Sequence, residues 1–375
     1  MNAEQVASSR SVGSWAMAAA TLIALSLTSV ARADSEGRYQ QHNLVSDGFV
    51  TADHTDPNLV NPWGIAFNPF GPVWIADNGS GLSTLYNGTG TPQALVVIIP
   101  PAAAAAGGNP TGIVFNGSNG FVVSTSSNSG PAKFIFATED GVIAGWNPAV
   151  DGTHAILVKD NSTTTGAVYK GLALSAGGNG SLLYATDFHN NKIDVWDSTF
   201  ATVTLPPGAF ADPTIPSGFA PFGIQAIGGN IYVTYAKQDA ARHDDVKGMG
   251  LGYVDVFDPN GRLIERVASR GKLNAPWGIA LAPAGFGEFR NTLLIGNFGD
   301  GHINAFDNAT GESYGQLKGV DGKPIAIDGL WGMAFGNGFA GQSVNTLFFT
   351  AGSNDEADGL YGSLDAVSGH GKGHD

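Results

Sequence analysis

Apolar residues along this chain alternate with small or polar ones in short runs, and a glycine introduces the most regular of them. Six runs share the pattern: Trp63-Gly64-Ile65-Ala66-Phe67, Thr111-Gly112-Ile113-Val114-Phe115, Lys170-Gly171-Leu172-Ala173-Leu174, Phe222-Gly223-Ile224-Gln225-Ala226, Trp277-Gly278-Ile279-Ala280-Leu281 and Trp331-Gly332-Met333-Ala334-Phe335. Their glycines are 48, 59, 52, 55 and 54 residues apart. After each run comes a second β-rich segment, such as Val73-Trp74-Ile75-Ala76 or Leu294-Ile295-Gly296. A Gly/Asn/Asp turn follows, then a segment ending in Tyr86, Trp146, Trp196, Phe257, Phe306 or Tyr361. Period-two alternation broken by turn residues predicts antiparallel strands.

A weaker fourth strand is predicted at Ala94–Ile99, His154–Lys159, Ala201–Leu205, Leu263–Ala268 and Ser313–Leu317. The sixth repeat lacks one, while the strand-like segment Tyr39–Ser46 stands unassigned before the first. Pairing these two ends closes a ring and leaves no open edge. The expectation is an all-β, six-bladed β-propeller of four-stranded antiparallel blades, with the N-terminal strand closing the last blade. A β-sandwich gives no reason for a unit of this length, and β-helix rungs are much shorter.

Composition agrees: 54 glycines and 19 prolines in 375 residues suit a turn-rich chain. Only 13% of residues are charged, and the net charge of −14 counts against nucleic acid and anionic membrane surfaces as partners. Arg10, the apolar run from Trp15 to Val30 and Ala31-Arg32-Ala33 read as a signal peptide over 1–33, which implies a secreted or periplasmic protein. No later stretch is long enough to span a membrane. The chain has no cysteine, so closure and core packing must stabilise it without disulfides. The expected organisation is a signal peptide at 1–33, a propeller at 34–364 and a Gly/His tail at 365–375, in a monomer.

Pro276-Trp277-Gly278-Ile279-Ala280 with Ile303-Asn304-Ala305-Phe306, and Leu183-Tyr184-Ala185-Thr186-Asp187 with Asn191-Lys192-Ile193-Asp194-Val195-Trp196, resemble NHL-type propeller repeats. Over most of the chain, phrases such as Asn61-Pro62-Trp63-Gly64, Phe136-Ala137-Thr138-Glu139-Asp140-Gly141 and Asn354-Asp355-Glu356 are similar to uncharacterised secreted bacterial proteins of predicted propeller fold. That resemblance implies the fold and brings no activity with it.

The end of each blade's second strand offers one residue to a common face: Asp77, Glu139, Asp187, Lys237, Asn297 and Gly352. Loop residues His189, Asn190, Asp300, Asp355 and Glu356 lie close to them in sequence. Asp77, Glu139, Asp187 and Asn297 together could ligate a divalent cation such as Ca²⁺, which takes several oxygen ligands from separate segments. The same residues suit a polyhydroxylated ligand, and Asp or Asn at a strand end also caps tight turns. The residues before the repeat glycines form a second ring: Trp63, Thr111, Lys170, Phe222, Trp277 and Trp331. They are read either as stacking faces for a ligand or as packing between blades. The loop Lys237–Lys247, with Arg242, His243 and Asp244, is dense in charge and suits a lid or partner contact.

No Ser-His-Asp arrangement, phosphate loop or HExxH motif is present. The leading expectation is therefore a binding module for a carbohydrate, an envelope component or a protein. The alternative is a divalent-metal-dependent hydrolase or lyase resembling the gluconolactonase-like propellers. Where that family opens its first blade with Glu-Gly-Pro, Asn61-Pro62-Trp63 stands here.

Overall fold

Each repeat glycine lies where neighbouring inner strands approach too closely for a side chain. A Cβ at Gly64 would stand 2.4 Å from the Thr111 carbonyl oxygen, and one at Gly223 2.0 Å from that of Trp277. At Gly278 it would meet the Trp331 carbonyl at 2.6 Å, and at Gly332 the Trp63 carbonyl at 2.5 Å. The contacts pass from each repeat to the next and return from the last to the first. The repeat glycine is thus the packing joint of a closed ring.

The computed structural model describes residues 37–103, 108–177 and 180–367. They form a six-bladed β-propeller. The first blade comprises Pro62–Phe67, Val73–Asp77, Leu82–Tyr86 and Val97–Ile98; the second comprises Pro110–Phe115, Phe134–Thr138, Val142–Trp146 and Ile156–Asp160. The third has Tyr169–Gly177, Gly180–Asp187 and Lys192–Trp196. The fourth has Phe219–Ile227, Asn230–Lys237, Gly252–Phe257 and Leu263–Ser269. The fifth has Pro276–Leu281, Thr292–Asn297, Ile303–Asp307 and Ser313–Gln316. A small hairpin, Val122–Ser124 with Ser129–Pro131, is inserted in the second blade.

The sixth blade joins Leu330–Phe335, Leu347–Ala351 and Leu360–Ala366 to the N-terminal strand Arg38–Ser46. That strand runs antiparallel to Leu360–Ala366, with Tyr39 opposite Ala366 and Ser46 opposite Leu360. Closure by the two ends of the chain is therefore as expected. Tyr39 strengthens it: its buried hydroxyl donates to the Phe286 carbonyl at 3.0 Å and accepts the Phe289 N–H at 3.2 Å, tying blade six to blade five.

One blade departs from the expected four strands. Ala201–Leu205 forms no strand; Thr202 makes only an isolated bridge to Trp196, and the Val203 N–H reaches the Val195 carbonyl at 2.8 Å. Pro206 and Pro207 follow at once and cannot donate to a ladder, which ends the pairing there. The expected signal peptide and most of the Gly/His tail lie outside the described residues, and the last strand runs on to Ala366. Among the described residues, no helix is long and apolar enough to cross a membrane.

Pro62 pairs with Asp77 and Phe67 with Val73. Entry to each inner strand and exit from each second strand therefore share one face, the mouth, and the loops joining those strands share the other.

Candidate functional site

All six inner strands carry a register shift at the repeat glycine: between Pro62 and Ile65, beside Thr111, between Tyr169 and Gly171, between Pro221 and Ile224, between Pro276 and Gly278, and between Leu330 and Met333. A bulge breaks strict alternation and re-aims a side chain. The re-aimed aromatic residues collect in one buried cluster, Trp63, Phe222, Trp277 and Trp331, joined by Phe188 and Phe298. Trp331 stacks on Trp63 at 3.5 Å between centroids and on Phe298 at 3.8 Å. Trp277 meets Trp331 edge-on at 5.7 Å. With Trp63, Trp277 and Trp331 only 2%, 9% and 1% exposed, the indoles close the channel rather than offer faces to a ligand.

Lys170 lies in the same ring, buried, with its ammonium 5.1 Å from the Trp63 ring centre. It pairs closely with Glu139 Oε1 and reaches Asp244 Oδ1 at 3.3 Å. The Trp277 indole donates to the Lys170 carbonyl at 2.9 Å, which fixes the backbone from which the ammonium projects.

From Lys170 the polar contacts run on across five blades. Asn78 Nδ2 donates to Glu139 Oε2 at 2.8 Å, and Asn61 Nδ2 donates to Asn78 Oδ1 at 3.3 Å and to Glu356 Oε2 at 3.1 Å. The Trp331 indole donates to Asn61 Oδ1 at 3.2 Å. At the other end, His243 Nδ1 stands 2.9 Å from Asp244 Oδ1. The network thus joins the aromatic plug beneath to the charged loop above.

Two loops bring in the outermost groups. The Gln238–Asp245 bridge closes the hairpin that carries His243 and Asp244. Glu356 follows three consecutive turn residues, and Asn354, Asp355 and Glu356 all hold left-handed backbone, with φ of 55°, 53° and 67°. Each non-glycine residue in that region costs roughly 1 kcal/mol. The turn is held by the Asn354 N–H on Asp328 Oδ2 at 3.0 Å and the Asp358 N–H on the Ser353 carbonyl at 3.1 Å.

Charge at the mouth is set by burial and pairing. Burial opposes the Lys170 charge, but the carboxylates of Glu139 and Asp244 outweigh it and raise the lysine above its ordinary value. The ammonium therefore stays protonated. A hydrogen bond from His243, aided by Lys170, holds Asp244 down at about 2, and the same hydrogen bond raises His243. Burial pushes Asp245 up to about 7. Burial and repulsion from Glu139 raise Glu356.

The residues singled out from sequence divide into two groups. Glu139, Lys170, Glu356, His243 and Asp244 meet at the mouth, and Trp63, Trp277, Trp331 and Phe222 meet in the plug beneath it. The others serve nearer contacts. Asp187 accepts from the Asn190 side chain at 2.7 Å and from the Val168 N–H at 3.3 Å. Asn297 donates to the Lys272 carbonyl at 2.8 Å and to Asp300 Oδ1 at 3.0 Å. Asp77 is fully buried beside Asp56 and Thr84, and burial raises it well above the usual carboxylate range. The Lys237 ammonium lies over the Phe219 ring at 5.5 Å. His189 is half-buried and Asp355 is exposed.

Among the described residues, one group of three acid and histidine donors has its ligand atoms within 4.8 Å of one another, Glu139, His243 and Asp244; of the expected set Asp77, Glu139, Asp187 and Asn297, it includes Glu139 but neither Asp77 nor Asp187. Lys170 bonds to two of those three. Asn61 and Asn78 were not anticipated as site residues, and Asp245 entered only as one of the charges of the loop Lys237–Lys247. Asn61 precedes the Pro-Trp-Gly of its repeat, and that placement is the one signal it gives in the sequence.

Fold and mouth together define the protein as a six-bladed β-propeller whose channel is plugged by aromatic rings and capped by a charged network. By sequence it is 37% identical over 328 residues to Uncharacterized protein R648 of Acanthamoeba polyphaga mimivirus, covering 86% of this chain and 78% of that one. It is 35% identical over 326 residues to Uncharacterized protein L690 of the same virus, covering 86% and 84%. The chain belongs to the family of these mimivirus proteins. No protein-family model matches it. Among solved structures it is similar to a Bacteroides thetaiotaomicron VPI-5482 protein of unknown function, with a TM-score of 0.54, 11% identity and coverage of 87% and 76%. It is also similar to a glucose dehydrogenase, with a TM-score of 0.53, 13% identity and coverage of 88% and 100%. At these identities the likeness shows the propeller fold alone.

Proposed function

We propose that this protein is an exported binding module that takes a carbohydrate at the channel mouth. The observation that carries the reading is the network from Glu356 through Asn61, Asn78, Glu139 and Lys170 to Asp244, in which each polar group is held by the next. Sugar hydroxyls both donate and accept, so a fixed array of carboxylates and amides matches them. Fixing those groups in advance lowers the entropic cost of binding. Protonated Lys170 supports binding over nucleophilic chemistry, because an ammonium has no lone pair with which to attack.

A metal-dependent reaction has one observation in its favour, the grouping of Glu139, His243 and Asp244. The donor set does not fit a dication, however. The Lys170 ammonium already sits between Glu139 and Asp244 and pairs with both, so a second cation seated there would be repelled by it.

A glycan array followed by thermal-shift titration tests the proposal, since a ligand at 100 times its Kd stabilises the folded state by about 2.7 kcal/mol. The expected result is one glycan class that raises the melting temperature, with the rise lost in Glu356→Gln and His243→Ala. Absence of any such class, or equal rises in both variants, overturns it. Export rests on residues 1–33, and N-terminal sequencing of the mature protein is expected to begin at Asp34.

A further inference from the structure

The face opposite the mouth carries a patch that the network above does not touch. Residues 57–132 contain one charged side chain, Asp77, which is fully buried, and residues 329–354 contain none, in a chain that is 13% charged. These stretches supply the first blade and the first two strands of the sixth, which are neighbours in the ring. Their loops on that face are tied into one platform. Asn337 Nδ2 donates to the carbonyls of Asn68 at 2.6 Å and Gly71 at 3.0 Å, and Gln342 Nε2 donates to that of Gly71 at 3.1 Å. The Gly88 N–H donates to the Ala340 carbonyl at 3.0 Å.

The platform holds two aromatic rings out in water by the same device. In Asn68-Pro69-Phe70, Asn68 Oδ1 accepts the Phe70 N–H at 2.8 Å; in Asn337-Gly338-Phe339, Asn337 Oδ1 accepts the Phe339 N–H at 2.9 Å. Phe70 is 83% exposed and Phe339 43%, with Val344, 51% exposed, beside Gly338 in the same loop. Phe67 and Phe335, partly exposed, carry the apolar surface on to the rim of the channel. Single exposed apolar residues need no explanation, but rings fixed by matching turns on an uncharged platform make a patch of the kind that buries against a partner. Because the turns fix them beforehand, little conformational entropy is lost on docking.

Charge selects the partner. Each chain carries a net charge of −14, so two copies repel wherever their charged surfaces meet. The platform adds nothing to that repulsion, and an uncharged apolar patch is complementary to itself across a two-fold axis. We infer that the platform on blades six and one is the interface of a homodimer, in which Phe70 and Phe339 of each copy pack against the same patch on the other. This departs from the monomer expected of the sequence.

Sedimentation equilibrium of the native protein over about 1–100 µM, at low salt and at about 0.5 M salt, tests this directly. A dimer is expected, its association strengthened several-fold by salt, which screens the repulsion between copies and leaves an uncharged interface intact. Phe70→Asp sets like charges against each other at the two-fold axis and is expected to weaken association about tenfold or more, and Phe339→Ser several-fold. Both side chains are exposed, so circular dichroism should be unchanged in either variant. A monomer at every concentration overturns the proposal. So does a dimer that salt dissociates, or one that both variants leave unaltered, since either places the interface on other residues. A monomer that binds phosphatidylcholine vesicles through Phe70 would give the platform to a lipid surface and overturns it as well.

Discussion

Replacing Lys170 by methionine keeps most of the side chain's bulk and removes only its charge. In the native protein the ammonium is buried, with Glu139 on one side and Asp244 on the other. The two acids differ in what they lose. The Glu139 side chain is 15% exposed and is left beside Glu356 without its cation, while that of Asp244 is 67% exposed and solvent can replace the lysine. Removing one partner of a buried pair costs about 3–5 kcal/mol, and discounting the exposed half leaves about 3 kcal/mol. For a propeller of this size, each kcal/mol lowers the melting temperature by roughly 2–4 °C, so a fall of about 6–12 °C is expected. Thermal melts at pH 7 and pH 5, with urea titrations to confirm an unchanged slope, measure it. The loss should shrink at the lower pH, where Glu356, raised by burial and by its neighbour Glu139, can take up a proton and relieve the repulsion. A variant as stable as the parent, or one destabilised equally at both pH values, would refute the claim that Lys170 compensates buried charge.

Gly223→Ala would bring a methyl group within 2.0 Å of the Trp277 carbonyl oxygen, and overpacking of that kind costs about 1–3 kcal/mol or more; urea denaturation should show it. Tyr39→Phe removes one donor to Phe286 and one acceptor from Phe289 in the closing blade, for a loss of about 1–3 kcal/mol read by thermal melting. Asp245 titrates at 3.8 when unfolded and at about 7 when folded, so in that window the native state holds more protons than the unfolded one. Stability therefore falls as pH rises between those values, and the raised Glu356 and His243 act in the same direction. Melting should be higher at pH 5 than at pH 8, with the difference reduced in Asp245→Asn.

The blades were legible because one residue type in each, the repeat glycine, has a role no other residue can fill, and strand alternation follows it. The fourth strand of blade three misled because Ala201–Leu205 has the right polarity, and the prolines that end pairing come only after it. At the mouth, side-chain length separates residues that share a repeat position. Glu139 reaches across to Lys170, whereas the shorter Asp187 and Asn297 turn back onto their own turns. Asn61 and Glu356, 295 residues apart, meet only because the ring closes, and no local pattern announces that contact.

The central claim is that the mouth carries its own cation, the Lys170 ammonium, which occupies the carboxylates where a metal reading would seat an ion. Calorimetric titration of the native protein with Ca²⁺ at pH 7, paired with elemental analysis of the dialysed sample, tests this most directly. The account predicts no saturable site at the mouth and less than one metal ion per chain. One tightly held ion per chain, lost in Glu139→Gln, would contradict it.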